Sequence, residues 1–364
     1  MALAVSIIAF AVLAGMIVLR PGEGPHVDRL VFGFADEVVS AEVESVENLP
    51  CSYAADLNCE LVVFSYGGDI VTQEFPDEAG QPHFEQGDPV LLSLTQAEDG
   101  NVAVNYYDRD RGWLLAVVAL VFAAAVVLLG RMRGLAALLG LGISVGILLW
   151  FIVPAIIDGR DAMLVALVGG GAIVLISLYL AHGFTPLTHI AAIGAFAALA
   201  LSTALSWIVV AVARFTGLGS EEAFYLLSLP DIDLTGLLLA GIVLGSIGAL
   251  DDVTVTQASA VWEVAQANPS LDRREYFASG LRIGRDHIAS TVNTLVLAYA
   301  GAAMPLLILY SLSGLSLPVI ASSEVVAVEI VRTLVGSIGL VASVPMTTWL
   351  AARQVAAVHA RAGS

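Results

Sequence analysis

The chain has 364 residues, 58% of them hydrophobic and only 13% charged, with a formal net charge of −18. A soluble globular domain carries about a quarter charged residues and short apolar runs, so an ordinary water-soluble fold is excluded. The strong acidity, carried without a single lysine, also argues against nucleic acid as a partner.

Eight stretches are long and apolar enough to cross about 30 Å of hydrocarbon as helix. They are Ala2 to Leu19, Trp113 to Leu129, Leu135 to Ile157, Ala162 to Ala181, Leu187 to Val212, Leu237 to about Gln257, Ile288 to Tyr310 and Val325 to Ala351. The expected fold is an all-α polytopic membrane bundle, because lipid offers the backbone no hydrogen-bond partners. The first stretch reads as an uncleaved anchor (1–20) rather than a signal peptide: it lacks a charged leading region and is of full spanning length before Arg20 and Pro21. Arg131 and Arg133, then Arg273, Arg274, Arg282 and Arg285, then Arg353 and Arg361 fall on one side if both termini are cytoplasmic, which the positive-inside rule favours. Arg20, Arg160 and Arg214 dissent.

Between the first two spans the composition changes. Residues 21–112 hold 19 acidic residues and three arginines, a net of −16, which leaves −2 for the rest of the chain. Alternating runs at Val38 to Val46, Glu60 to Phe64, Asp69 to Phe75, Pro89 to Leu94 and Val102 to Tyr107, separated by Gly, Pro, Asn and Asp, predict a small extracytoplasmic all-β domain of five or six strands, of the OB kind. Its acidity would keep it soluble or attract cations and basic partners. Cys51 and Cys59, the only cysteines, are expected to form a structural disulfide. Two cysteines alone do not make a metal site, and His83 is the nearby histidine. A seven-helix membrane domain (113–352) and a cytoplasmic tail (353–364) complete the predicted organisation.

Spans two to five carry few polar groups. Gly169 to Gly171, with Gly140, Gly142 and Gly146, predict close helix approach, and Pro154 and Pro186 predict kinks or span ends. His182 and His189 flank a short turn, as wet loop residues or as a proton relay. The acidic stretch Ser220 to Leu234, with Glu221, Glu222, Asp231 and Asp233, reads as an exposed loop or a vestibule for cations.

The last three spans hold the polar constellation. If Leu237 to Ala265 is one helix, Asp252, Thr256, Ser259 and Glu263 share one face. Alternatively the helix breaks at Gly248 and Asp251 caps a second helix whose first turn carries Thr254, freeing backbone groups beside the carboxylates. The candidate substrate or ion ligands are Asp251, Asp252, Thr254, Thr256, Gln257, Asn293 and Thr294, supported by Ser246, Glu263, Asp286, Ser290 and Ser337. Arg282, Asp286, Ser290 and Asn293 form a stripe on span seven, with Arg282 and Asp286 spaced for an ion pair. Glu329 and Arg332, three residues apart, are expected to pair, and such a pair suits a gate. Leu244-Gly-Ser-Ile-Gly248 recurs as Val335-Gly-Ser-Ile-Gly339, a parallel repeat that would bring two turns to one depth.

The motifs Gly248-Ala-Leu-Asp-Asp-Val-Thr-Val-Thr-Gln, Gly284-Arg-Asp-His with Asn293-Thr-Leu-Val-Leu-Ala-Tyr-Ala-Gly, and Arg332-Thr-Leu-Val-Gly-Ser-Ile-Gly resemble the YibE/F family of bacterial membrane proteins. The resemblance covers spans two to eight and implies a multi-pass plasma-membrane protein of unestablished substrate. The functional expectation is therefore a secondary transporter of a small solute or ion, coupled to a proton, sodium or a divalent cation and holding no covalent cofactor. A non-transporting scaffold or envelope assembly factor, docking a partner through the external domain, is the alternative; a homo-oligomer fits either. Phosphate-cradling loops, zinc helices and nucleophile elbows are not found in the sequence, so an enzyme is not expected.

Overall fold

The computed structural model describes residues 1–22, 35, 37–96, 102–219, 221–227, 229 and 232–362. Ser220 and Asp231 of the predicted acidic loop lie outside them. The chain divides into a unit of residues 26–125, which holds the sheet, and a helical unit of residues 1–25 and 126–364.

The five predicted alternating runs form β1 (Glu37–Cys51), β2 (Ala54–Tyr66), β3 (Asp69–Pro76), β4 (Pro89–Gln96) and β5 (Val102–Arg109). They make one curled antiparallel sheet in the order β3-β2-β1-β4-β5. The long β1 pairs with β4 through Glu37 to Glu42 and with β2 from Glu42 onward, with a register shift between Val43 and Ser45. Bulges of this kind raise local twist and bend the strand. Gln73 links the two outer strands: its Nε2 donates to Val104 O at 2.7 Å, and Tyr106 N donates to its Oε1 at 2.9 Å. The two-residue turn between β2 and β3 has positive φ at both Gly67 and Gly68, a conformation that glycine adopts at little steric cost. Val43, Val62, Phe64, Phe84, Val90 and Leu92 fill the interior, where Phe64, Phe75, Phe84 and Tyr106 meet ring to ring. Cys51 and Cys59 form the expected disulfide.

The helical elements are α1 (Ala2–Val18), α2 (Gly112–Ile147), a π turn at Leu148–Ile152, α3 (Val153–Ile157), α4 (Ala162–His182), α5 (Pro186–Ala213), α6 (Glu221–Leu226), α7 (Leu234–Ala267), α8 (Arg273–Ala302), α9 (Met304–Leu312), α10 (Leu317–Ser322) and α11 (Glu324–Ala362). Five helical runs are long and apolar enough to cross a membrane, or six if α8 and α9, bent by 64°, count as one span. The apolar α1 is shorter, and predicted spans two and three lie on the single run Gly112–Ile157. That run breaks at Arg131 (φ 53, ψ −131), between the two predicted spans. The chain is a membrane protein.

Polar residues start several of these helices. Asp161, Thr185 and Asp233 each accept a backbone N–H at the first turn of α4, α5 and α7, and Asp272 with Glu275 makes a capping box on α8. Pro186 is at the start of α5, a position that needs no amide donor.

The core of this unit is α7, which packs against α4, α5, α8 and α11. Small residues permit it. Gly170 faces Ile247 and Gly171 faces Phe196, while Gly140 approaches the backbone of Ser177. Where α5 crosses α11, the two run antiparallel: a Cβ on Gly194 would meet Thr347 Oγ1 at 2.3 Å, and one on Gly339 would meet the Ser202 hydroxyl. Gly142, by contrast, has open space around it.

Candidate intramembrane carboxylate site

The helix does not break at Gly248. Residues Leu234–Ala267 form one continuous α7, so Asp251 is not an N-cap and its backbone is helical. A lone glycine in a helical pattern costs about 1 kcal/mol, which the packing of so many apolar neighbours overrides. Continuity sets adjacent side chains about 100° apart around the axis, so the two aspartates look in different directions.

Asp251 turns toward α4. The Ser177 hydroxyl donates to its Oδ2 at 2.5 Å, while its Oδ1 is buried without a hydrogen-bond partner among the described residues. Asp252 is exposed and turns toward α8, where His287 Nε2 stands 3.9 Å from its Oδ2. That imidazole nitrogen is buried and, at this distance, has no hydrogen bond among the described residues. The predicted polar face is present, since Asp252, Thr256 and Glu263 are exposed and Ser259 is half-buried.

The other predicted ligands do not gather round the carboxylates. Thr254 is buried and donates to Leu250 O at 2.9 Å; Thr256 donates to Asp252 O at 2.7 Å. Both hydroxyls thus return to their own helix, as threonines do when no better acceptor is near. Gln257 is a tie between helices: its amide nitrogen donates to Gly280 O of α8 and to Thr348 Oγ1 of α11, each at 2.7 Å. Asn293, Thr294, Asp286 and Ser290 are exposed on α8, and Thr294 donates to Ser290 O. Arg282 reaches Ser279 Oγ at 3.4 Å instead of Asp286, because both charged groups lie in the open, where an ion pair gains little. Ser246 is buried and bonds Val243 O, and Ser337 is buried without a partner among the described residues.

The expected pair on α11 is formed, with Arg332 Nη1 donating to Glu329 Oε1 at 2.6 Å. Arg332 lies across α7: a Cβ on Gly241 would meet its Nη2 at 3.7 Å, and Tyr299 OH donates to Gly245 O at 3.1 Å beside it. Of the histidines flanking the turn after α4, His189 Nδ1 is 2.6 Å from Tyr179 OH, and His182 is exposed.

A family model described as YibE/F-like protein matches residues 118–357. The chain belongs to this family. The matched segment holds Asp251, Asp252, His287, Glu329 and Arg332 together with Ser177, so the whole carboxylate site is YibE/F-like sequence. The sheet lies before it. Neither a curated protein nor a solved structure gives a significant match.

Proposed function

We propose that this YibE/F-like protein is a cation- or proton-coupled secondary transporter of a small solute or ion, with Asp251 as its coupling group. The observation that carries the reading is the half-made coordination of Asp251. A carboxylate inside an apolar bundle is costly when ionised and unpaired. Ser177 satisfies one oxygen, and the other, desolvated and without a partner among the described residues, takes up a proton or a cation. Asp252 on the exposed face of α7, with His287 of α8 3.9 Å from it, is the neighbouring relay between Asp251 and water. Glu329 with Arg332, laid across the other half of α7, is the gate.

In this reading the helical runs make eight spans, with the Arg131 break and the α8 to α9 bend as turns between or within them. The sheet unit is an OB-like domain outside the cytoplasm, in keeping with its disulfide. Both termini are then cytoplasmic in a bacterial plasma membrane, and the chain does no covalent chemistry. The competing scaffold reading draws on Thr254, Thr256 and Gln257, all of which serve the fold.

The test is thermal stability of detergent-purified protein, wild type against Asp251→Asn and Ser177→Ala, across monovalent and divalent cations and pH. A ligand at a hundredfold excess over its Kd stabilises the folded state by about 2.7 kcal/mol. The expected result is a cation- or pH-dependent rise in Tm for wild type that Asp251→Asn abolishes and Ser177→Ala weakens. A wild type indifferent to every ion and to pH, with Asp251→Asn equally or more stable, would refute the coupling role and favour a scaffold.

A further inference from the structure

The sheet unit carries a second cluster that the transport reading does not use. Glu60 on β2, Asp77 just after β3 and His83 in the connection to β4 each offer one donor atom, and the three atoms lie within 4.8 Å of one another. His83 Nδ1 is 3.2 Å from Glu60 Oε1 and 3.8 Å from Asp77 Oδ1.

Three separate pieces of backbone hold these groups in place. The sheet register sets Glu60 opposite Phe75, so Asp77 emerges at the same end of the β2–β3 ladder, where its N–H donates to Asn58 O. The Phe84 ring is buried against Phe64, Phe75 and Tyr106, which anchors the residue next to His83. Phe84 N donates to Glu60 Oε2, leaving Oε1 free to face the imidazole, and Arg109 donates to the His83 carbonyl. Glu60 is only 13% exposed, yet among the described residues no arginine pairs with it. Arg109 pairs instead with Asp88 at 3.2 Å.

We infer that Glu60, Asp77 and His83 form a binding site for a divalent transition cation of the zinc type. One imidazole nitrogen and two carboxylate oxygens match the ligand preference of zinc; magnesium and calcium favour all-oxygen shells. Zinc bonds of about 2.0–2.1 Å in a tetrahedron set neighbouring donors about 3.3 Å apart. The His83 to Glu60 separation already meets that spacing, and Asp77, 3.8 Å from His83 and within 4.8 Å of Glu60, has to close in on both. His83 and Asp77 are 63% and 47% exposed, so the fourth position opens to water or to a ligand delivered with the metal. The cation also neutralises a nearly buried carboxylate in a segment of net charge −16.

The experiment is zinc titration of chelator-stripped, full-length protein in detergent, followed by calorimetry and by the visible spectrum of the cobalt-substituted form. A single zinc per chain in the micromolar range or tighter is expected, with magnesium not competing. His83→Gln and Glu60→Gln should each weaken zinc by at least about tenfold, the scale on which metal sites lose affinity when their shell is damaged, and His83→Gln should change the cobalt spectrum. His83 is exposed, so its substitution leaves the sheet folded, which the metal-free melting curve checks. Repeating the titration in Asp251→Asn removes any cation held at the helical carboxylate, so zinc that this variant keeps and that His83→Gln loses belongs to the sheet, which separates this site from the transport reading. No stoichiometric zinc at micromolar concentration, or zinc binding unchanged in both His83→Gln and Glu60→Gln, would overturn the site.

Discussion

Gly194→Ala tests whether α5 and α11 cross as closely as the geometry requires. A methyl group at residue 194 would lie 2.3 Å from Thr347 Oγ1, 3.3 Å from its Cβ and 3.5 Å from its Cγ2. Rotating Thr347 gives no relief, because a β-branched side chain exchanges one branch for the other and is confined to few rotamers in a helix. The helices must therefore separate or shift. Overpacking of this kind costs about 1–3 kcal/mol, and a 2.3 Å approach takes the upper part of that range, about 2–3; the better helix propensity of alanine returns up to about 1, which leaves a net loss of about 1–2 kcal/mol. Thr347→Ala alone should cost little, since its buried hydroxyl has no hydrogen-bond partner among the described residues to lose. In the double variant the clash falls to the 3.3 Å contact with Cβ, so most of the loss should be recovered. Denaturant unfolding of the detergent-solubilised protein, arranged as a double-mutant cycle, reads the coupling directly. Gly194→Ala with wild-type stability, or a double variant whose losses merely add, would refute the close crossing.

Two further outcomes follow from the same packing arguments. Gln257→Leu removes the amide that joins α8 and α11 to α7 and leaves the Gly280 carbonyl without this donor, so thermal stability should fall by about 1–3 kcal/mol; an unchanged melting curve would show that the tie is dispensable. Cys51→Ser with Cys59→Ser opens a loop whose ends are eight residues apart, which the loop-closure relation values at about 2–3 kcal/mol. Limited proteolysis of residues 37–109 should accelerate in that variant while the helical unit stays protected, and equal resistance would contradict it.

Periodicity and apolar length made the architecture legible: each of the five alternating runs became a strand, and the predicted spans fall on helical segments, of which five, or six with the bent α8–α9 pair, are long and apolar enough to cross a membrane. The pairing of Glu329 with Arg332 and the Cys51–Cys59 disulfide were readable because both partners are close in sequence. Asp251 was legible as a site residue, but its partner was not. Ser177 lies 74 residues earlier as one hydroxyl in an apolar span, and only the approach of α4 to α7 gives it a role. The reading of Asn293 as an interior ligand ran into the same limit, since which face of α8 meets α7 is a property of the packed bundle. The Glu60, Asp77 and His83 cluster was hidden for a different reason. Its members come from three segments joined by strand register, and in the sequence His83 stands near no partner that suggests a metal beyond the two cysteines.

The repeated Gly-Ser-Ile-Gly turns bear on how the two halves of α7 communicate. The repeat offsets α7 from α11 by 91 positions, Leu244 against Val335. The contacts follow nearly the same offset: Ser246 meets Gly336, and Gln257 meets Thr348. The helices therefore lie parallel and in register, with their small-residue turns at one depth, as backbone approach without bulky side chains requires. Arg332 reaches Gly241, ten residues before Asp251, or roughly 15 Å along the axis at 1.5 Å per residue. No break intervenes, because α7 is continuous through Gly245 and Gly248. In the proposed cycle, a rotamer change that parts Arg332 from Glu329 alters the contact α11 makes with α7, the same rigid rod that carries Asp251 past Ser177. Coupling between gate and carboxylate then needs no chain of side chains between them, only the register that the repeated turns impose.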